Sequence, residues 1–137
     1  MTRKEARNQA FVLIFEKGIN NDPIEDIIDA AKECRDFLED EDGYTLKVFK
    51  GVFENLEEID DTISKNLTGW TINRISRVSL AVLRLAIYEM LYRDDIPVSV
   101  SVNEAVELCK KYATTEDASF VNGILGAVSR HGEGGDY

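Results

Sequence analysis

The stretch 79-SLAVLRLAIYEMLYR-93 decides the fold class. Leu80, Val82, Leu83, Leu85, Ala86, Ile87, Tyr88, Met90 and Leu91 leave almost no polar side on a helix built from it. A helix that is apolar nearly all round is one surrounded by other helices. Ser79 is read as its opening residue. Arg84, set among these apolar residues, needs a carboxylate if it is buried, and Glu89, Glu104 and Glu107 are the candidates.

Outward from this centre the chain keeps helical spacing. Upstream, Leu46, Val48, Phe49, Val52, Phe53, Leu56, Ile59, Ile63 and Leu67 recur three or four apart, which predicts one long helix from Tyr44 to about Leu67, broken by Gly69-Trp70. A short helix over Ile72 to Val78 follows. Before the acidic loop Glu39–Gly43, Asp22-Pro23 reads as an N-cap with proline at the first helical position. Ile24, Ile27, Ile28, Ala31, Cys34 and Leu38 continue that helix. Thr2-x-x-Glu5 is a capping box opening the first helix, which runs to about Gly18.

Downstream, Val98, Val100 and Val102 alternate with serines, a strand signal. The alternation is short, and Ser101-x-x-Glu104 is a second capping box. We read an extended lead-in followed by a helix, with Asn103 and Glu104 serving the cap. The last helix is "SFVNGILGAVSR", capped by Asp117, and Asn122-Gly123 within it permits close helix packing. Residues 132–137 form a frayed tail whose glycines follow a helix, unlike a phosphate loop. The sum is one all-α domain of about seven helices over residues 1–131.

Composition agrees. The chain has 137 residues, 44% of them apolar, with only two prolines and nine glycines. No apolar run nears the roughly 18–20 residues of a membrane span, and no secretory signal opens the chain. Cys34 and Cys109 lie far apart within helical patterns and read as small core residues rather than a disulfide or metal pair. A reducing, cytoplasmic setting follows. Cys109 precedes Lys110 and Lys111, which would lower a thiol pKa, but it lies near the apolar stripe of its helix. His131 is the single histidine, so neither a catalytic triad nor a multi-histidine metal site can be assembled. Neighbouring carboxylates such as Asp60-Asp61 point apart on a helix and read as a solvated face. No enzyme, metal or cofactor is implied.

The formal net charge is −10, and all of the excess lies between Asn20 and Asn66. The N-terminal segment is the opposite: Arg3, Lys4 and Arg7 precede the apolar block Ala10–Phe15. On a helical wheel Arg7 and Phe11 fall together, with Lys4 and Phe15 extending the band and Arg3 and Asn8 at its borders. Ala6, Ala10, Leu13 and Ile14 face elsewhere. Cations for phosphates beside ring faces for bases suit single-stranded nucleic acid. The plainer alternative is that both phenylalanines enlarge the core above a solvated first turn. Positive charge there opposes the helix dipole by a few tenths of a kcal/mol, about 0.3.

"RKEARNQAFVLIF", "W…NRISRVSLAVLRLAIYEML", "DIPVSVSVNEAVELCKKYA" and "SFVNGIL" occur in this order from Arg3 to about Leu125. Together they resemble the NusB family of bacterial transcription antitermination factors. A related helical domain opens some ribosomal RNA cytosine methyltransferases, but this chain has no room for a methyl-donor domain. The resemblance implies a seven-helix, non-enzymatic fold that pairs with NusE, a small-subunit ribosomal protein. The pair is expected to bind boxA, a single-stranded element of ribosomal RNA leaders, and to help load an antitermination complex onto RNA polymerase.

The family's arginine-rich start matches Arg3, Lys4 and Arg7. Phe15 occupies a position often held by tyrosine, at the edge of the RNA and NusE surfaces. Asp117 and Phe120, in the loop before "FVNG", lie near the RNA-facing region. Ser79-Leu80 stands where the family often has an acidic-basic pair within the NusE-contacting region. Glu5 dilutes the basic run, and "TTEDASF" is about one residue short and lacks a basic residue before Phe120. Each phosphate contact contributes about 0.7 to the salt slope on a single strand, so weak RNA binding that depends on the partner is expected. The alternative is a protein-interaction module acting through its acidic helices; a homodimer using the NusE-facing surface is also open.

Overall fold

The helix expected at the centre of the sequence stands at the centre of the molecule. The structure, a computed structural model, describes all residues except Glu41, Trp70 and 135–137, with the backbone alone for 132–134. Seven α-helices are found among the described residues: α1 (Arg3–Ile19), α2 (Ile24–Lys32), α3 (Tyr44–Glu54), α4 (Leu56–Lys65), α5 (Arg77–Tyr92), α6 (Val98–Tyr112) and α7 (Thr115–Gly134). A 3₁₀ turn over Ile72–Arg74 precedes α5, and no described residue is in a strand. Helix α5 packs against α1, α3, α4, α6 and α7. Its Val82, Leu83, Leu85, Ala86 and Ile87 are almost wholly withdrawn from solvent, as the near-continuous apolar pattern requires.

Several boundaries differ from the sequence reading, each for a local reason. The long third helix is two, broken at Asn55, whose side-chain amide donates to the Gly51 carbonyl at 2.8 Å. The apolar period runs through this break because α4 still turns Ile59 and Ile63 into the core. Helix α2 begins after Pro23, which is itself the N-cap, and ends at Lys32. Cys34 is therefore exposed rather than a core residue, and Leu38 is exposed too. The Gln9 amide holds the chain there, donating to the Leu38 carbonyl at 2.7 Å and accepting its N–H at 2.8 Å.

Helix α5 starts two residues before Ser79. Ser76 caps it by accepting the Ser79 N–H at 3.2 Å. Helix α6 starts directly after Pro97, without an extended lead-in, and Asn103 and Glu104 lie within it rather than at a cap. Pro97 presets the turn into the helix, and among the described residues there is no strand beside it to reward the Val/Ser alternation. Thr114, not Asp117, caps α7: its hydroxyl accepts the Asp117 N–H and donates to the Asp117 carboxylate, both at 3.0 Å. Of the expected frayed tail, residues 132–134 instead continue the helical backbone of α7 to Gly134; residues 135–137 lie outside the described ones, as does Trp70 of the expected break.

Arg84 takes Asp60 of α4 as its partner, in a two-pronged pair at 2.9 Å and 2.9 Å, and none of the three glutamates considered. Gly123 is exposed, and a Cβ there would meet nothing within 4 Å, so it does not serve close packing. Gly51 does: α3 crosses α5 with the Tyr88 ring where a Cβ would stand.

Cys109 is buried, and that burial, with Asp117 nearby, pushes its thiol up to about 11. The lysines beside it in sequence do not activate it. Native protein at pH 8 is expected to react with one equivalent of maleimide, at Cys34, and with a second only in denaturant. Fast labelling of both thiols in the folded protein would contradict this burial.

Candidate functional site

Helix α1 carries most of the expected site residues, and its start is fixed by the capping box read from the sequence. Thr2 accepts the Glu5 N–H at 3.1 Å, and the Glu5 carboxylate accepts the Thr2 N–H at 2.8 Å. The Thr2 backbone and hydroxyl hold the Glu5 carboxyl below its ordinary range. Glu5 thus serves α1 itself, offsetting the cations that would otherwise oppose the helix dipole.

The basic segment does not form one exposed strip. Arg3 is half-exposed, pairs with Asp42 at 2.5 Å and lies 4.2 Å over the Tyr44 ring. Lys4 is exposed, 3.4 Å from Glu104 of α6. Arg7 departs from the wheel reading altogether. It is only 4% exposed, and its Nε donates to Glu89 Oε2 at 3.0 Å. The Tyr44 hydroxyl makes a short bond to the same oxygen, and Ser101 donates to Oε1 at 3.0 Å.

One wholly buried carboxylate on α5 therefore gathers donors from α1, α3 and α6. Burial is the largest single influence on Arg7 and would lower its pKa, but the charge and hydrogen bond of Glu89, with Tyr44 and Glu104, together outweigh it and hold the guanidinium above its ordinary value. Burial, with Glu89 beside it, likewise pushes the Tyr44 phenol far up. Arg7 is thus a cation of the interior that sets α1 on α5.

Phe11 is buried as well, its ring stacked at 4.9 Å on Tyr112 and 6.1 Å from Phe15. The alternative that Phe11 enlarges the core fits this placement. Asn8 is half-buried, and its Oδ1 accepts from Lys111 Nζ at 3.1 Å and the Tyr112 hydroxyl at 2.9 Å. Lys4, Asn8 and Lys111 line a groove of about 470 Å³ between α1 and α6, with Glu104 and Glu107 on the facing wall. Phe15 and Leu80, both half-buried, line a second cleft of about 350 Å³ between α1 and α5, with Gly18, Ile19 and Arg77. Ser79 is 1% exposed and faces Cys109 of α6, so it is buried rather than offered as a surface contact. Asp117 sits in the first turn of α7 bonded to Thr114, and Phe120 packs half-buried against the core.

What sequence reading missed is that Glu89 is the buried partner of Arg7. Its signal was present: Arg7 precedes Ala10 and Ile14 by three and seven positions, the spacing of the buried face, and a buried cation requires a buried anion. Among the described residues no three His, Cys, Asp or Glu side chains converge as a metal site would, and no helix is long and apolar enough to cross a membrane.

Comparison with known proteins places this geometry. The model of the NusB family matches residues 4–130. The chain is 52% identical over 128 residues to the transcription antitermination protein NusB of Acetivibrio thermocellus, covering 93% of this chain and 88% of that protein. The structure of T. maritima NusB aligns with a TM-score of 0.83 at 36% identity, covering 95% of this chain and 92% of that one. A crystal structure of antitermination factors NusB and NusE in complex with dsRNA aligns with a TM-score of 0.84 at 28% identity, covering 93% and 96%. With the family's model spanning nearly the whole chain, and its fold reproduced around α5, the chain belongs to the NusB family.

Proposed function

We propose that this chain is a non-enzymatic transcription antitermination factor of the cytoplasm. It binds boxA-type single-stranded RNA of ribosomal RNA leader transcripts together with NusE, and helps assemble an antitermination complex on RNA polymerase. The observation that carries the RNA half is the α1–α6 groove, where Lys4, Lys111 and the Asn8 amide stand together at the surface. The α1–α5 cleft with Phe15 and Leu80 is offered to NusE. A NusB of the same fold is seen in complex with NusE and dsRNA, which supports an RNA and a NusE as partners. Arg3, Lys4, Asn8 and Phe15 are the α1 residues assigned to contact, with Asp117 and Phe120 on α7. Arg7 and Phe11 act from below, by holding α1 in place.

The test is fluorescence anisotropy of labelled boxA RNA, with and without NusE, at two salt concentrations, beside an Arg3→Gln/Lys4→Gln variant. Arg7 is left intact because its loss would strand Glu89. Affinity is expected to rise with NusE, and the variant's salt slope to fall by about 0.7 for each cation that touches phosphate. RNA that stays unbound even with NusE present would sink the reading.

One observation favours a second reading, a protein-interaction module with little RNA grip: Arg3 is held by Asp42, Lys4 by Glu104 and Arg7 by Glu89. NusE binding without any gain in RNA affinity would select it.

A further inference from the structure

We propose that the hollow between α1 and α2 is a docking site for a protein segment, a basic amphipathic helix that lowers large apolar side chains into it. The site lies apart from the surfaces assigned to RNA and NusE and depends on neither. Val12 and Glu16 of α1 form one wall, and Ala30, Ala31, Cys34 and Phe37 form the other, around a space of about 410 Å³. Leu13, buried, closes it toward the core.

The hollow is apolar where a solvated surface would be polar. Val12 is 43% exposed in the middle of α1, with Asn8 and Glu16 one turn to either side. These three residues stand four apart and form a ridge about 12 Å long. Opposite it, α2 offers two alanines, too small to fill the space. Phe37 packs on the core from the segment after α2. Gln9 pins that segment by bonding both the carbonyl and the N–H of Leu38, which is 54% exposed. Both walls are thus fixed before a partner arrives, which lowers the ordering cost of binding. An exposed apolar patch with a polar rim is the mark of an interaction surface.

Charge selects the occupant. Eight carboxylates and two cations lie between Asp22 and Asp40. Asp26, Asp29 and Glu33 are exposed along α2 and its C-cap, and Asp36 lines the hollow itself. The ion pairs nearby are Lys32 with Glu39 at 3.9 Å and Lys50 with Glu25 at 3.8 Å. They leave those four carboxylates, and Glu16, without an ion pair among the described residues. A nucleic acid or an anionic lipid surface would bring like charge onto this rim. A second copy docked face to face would do the same, because its own rim is as acidic. A helix with lysines or arginines beside its apolar stripe brings the opposite charge, and its i, i+4 anchors match the spacing of the ridge.

The probes are labelled helical peptides of about 16 residues, long enough to hold a helix, with leucines four apart on one face and lysines flanking them. They are made in both sequence directions. One control carries glutamate for each lysine, and another carries alanine for each leucine. Binding is read by fluorescence anisotropy, and its place by the rate at which maleimide labels Cys34, a lining residue. A basic leucine peptide is expected to bind and to slow that labelling as it saturates, and neither control should do so. Ala30→Trp fills the hollow from an exposed position and should weaken the peptide by about tenfold or more. Its own Cys34 rate without peptide is measured alongside.

Glu16→Lys/Glu33→Lys keeps the space and reverses its rim. It should weaken the peptide by about three- to tenfold at low salt and by less at high salt. None of these three residues lines the α1–α6 groove or the α1–α5 cleft, so affinities for boxA RNA and NusE should not move. The proposal falls if neither basic peptide binds, or if the acidic peptide binds equally well. It falls too if Ala30→Trp binds as tightly as the unaltered protein, since the peptide would then sit elsewhere on the acidic surface. A peptide-free dimer in sedimentation, with Cys34 shielded as it forms, would give the hollow to a second copy and overturn the assignment of a basic helix.

Discussion

Replacing Glu89 with leucine is expected to remove about 3–5 kcal/mol of stability, which for a chain of this size lowers Tm by about 10–20 °C. The cause is what the substitution leaves behind. Arg7, 4% exposed, loses its counter-charge, and the hydroxyls of Tyr44 and Ser101 lose their acceptor. The added apolar contact is small beside an unpaired buried cation. This account makes a second statement that the first does not. Changing Arg7 to methionine in the same background removes the stranded charge, and should return most of the lost stability. Urea unfolding of both single variants and the double variant measures the cycle. A double variant no more stable than Glu89→Leu alone would show that Arg7 is not the source of the cost.

Gly51→Ala should destabilise by about 1–3 kcal/mol, although alanine is the better helix former by about 1 kcal/mol. The site is inside α3, where its backbone meets the Tyr88 ring on α5. A methyl group there must push the ring aside, and the ring is itself packed at a tilt against Tyr92, 5.3 Å between centroids. The sign should change with the neighbour: in a Tyr88→Leu background the same alanine is expected to cost little or to stabilise. Denaturant midpoints for the four proteins decide it. A neutral Gly51→Ala in the unaltered background would mean that the two helices separate freely at this crossing.

These two positions also mark where reading from sequence succeeds and stops. The fold was legible because α5 is apolar on nearly every side and the flanking segments repeat every three or four residues, a signal carried by backbone geometry alone. Boundaries were less so. At Asn55 one side-chain amide ends a helix whose apolar period continues, and at Pro97 a helix begins beneath what looks like a strand pattern. Partners in the interior were hidden for another reason. A helical wheel tells which residues share a face, but not which face is turned inward. Arg7 therefore read as a surface cation, and Arg84 was offered glutamates of its own and the following helix when Asp60 on α4 stood beside it in space. Lys4 and Asn8 were legible because their segment forms a capped helix by local rules. Lys111 and Tyr112 were not, since they meet Asn8 across 103 and 104 positions.

That long span has a consequence for how the protein comes into being. The buried charge on α1 finds its partner 82 residues later. At about 5–20 residues added per second, α5 follows α1 out of the ribosome by about 4–16 s. Through that interval Phe11, Leu13 and Ile14 have no α5 to cover them, and Arg7 keeps its water. Helices α6 and α7, joined by two residues, can pair as soon as both are made. Helix α1 thus waits on α5 for the partner of its buried charge, and its docking against α5 and then α6 forms the cleft and the groove.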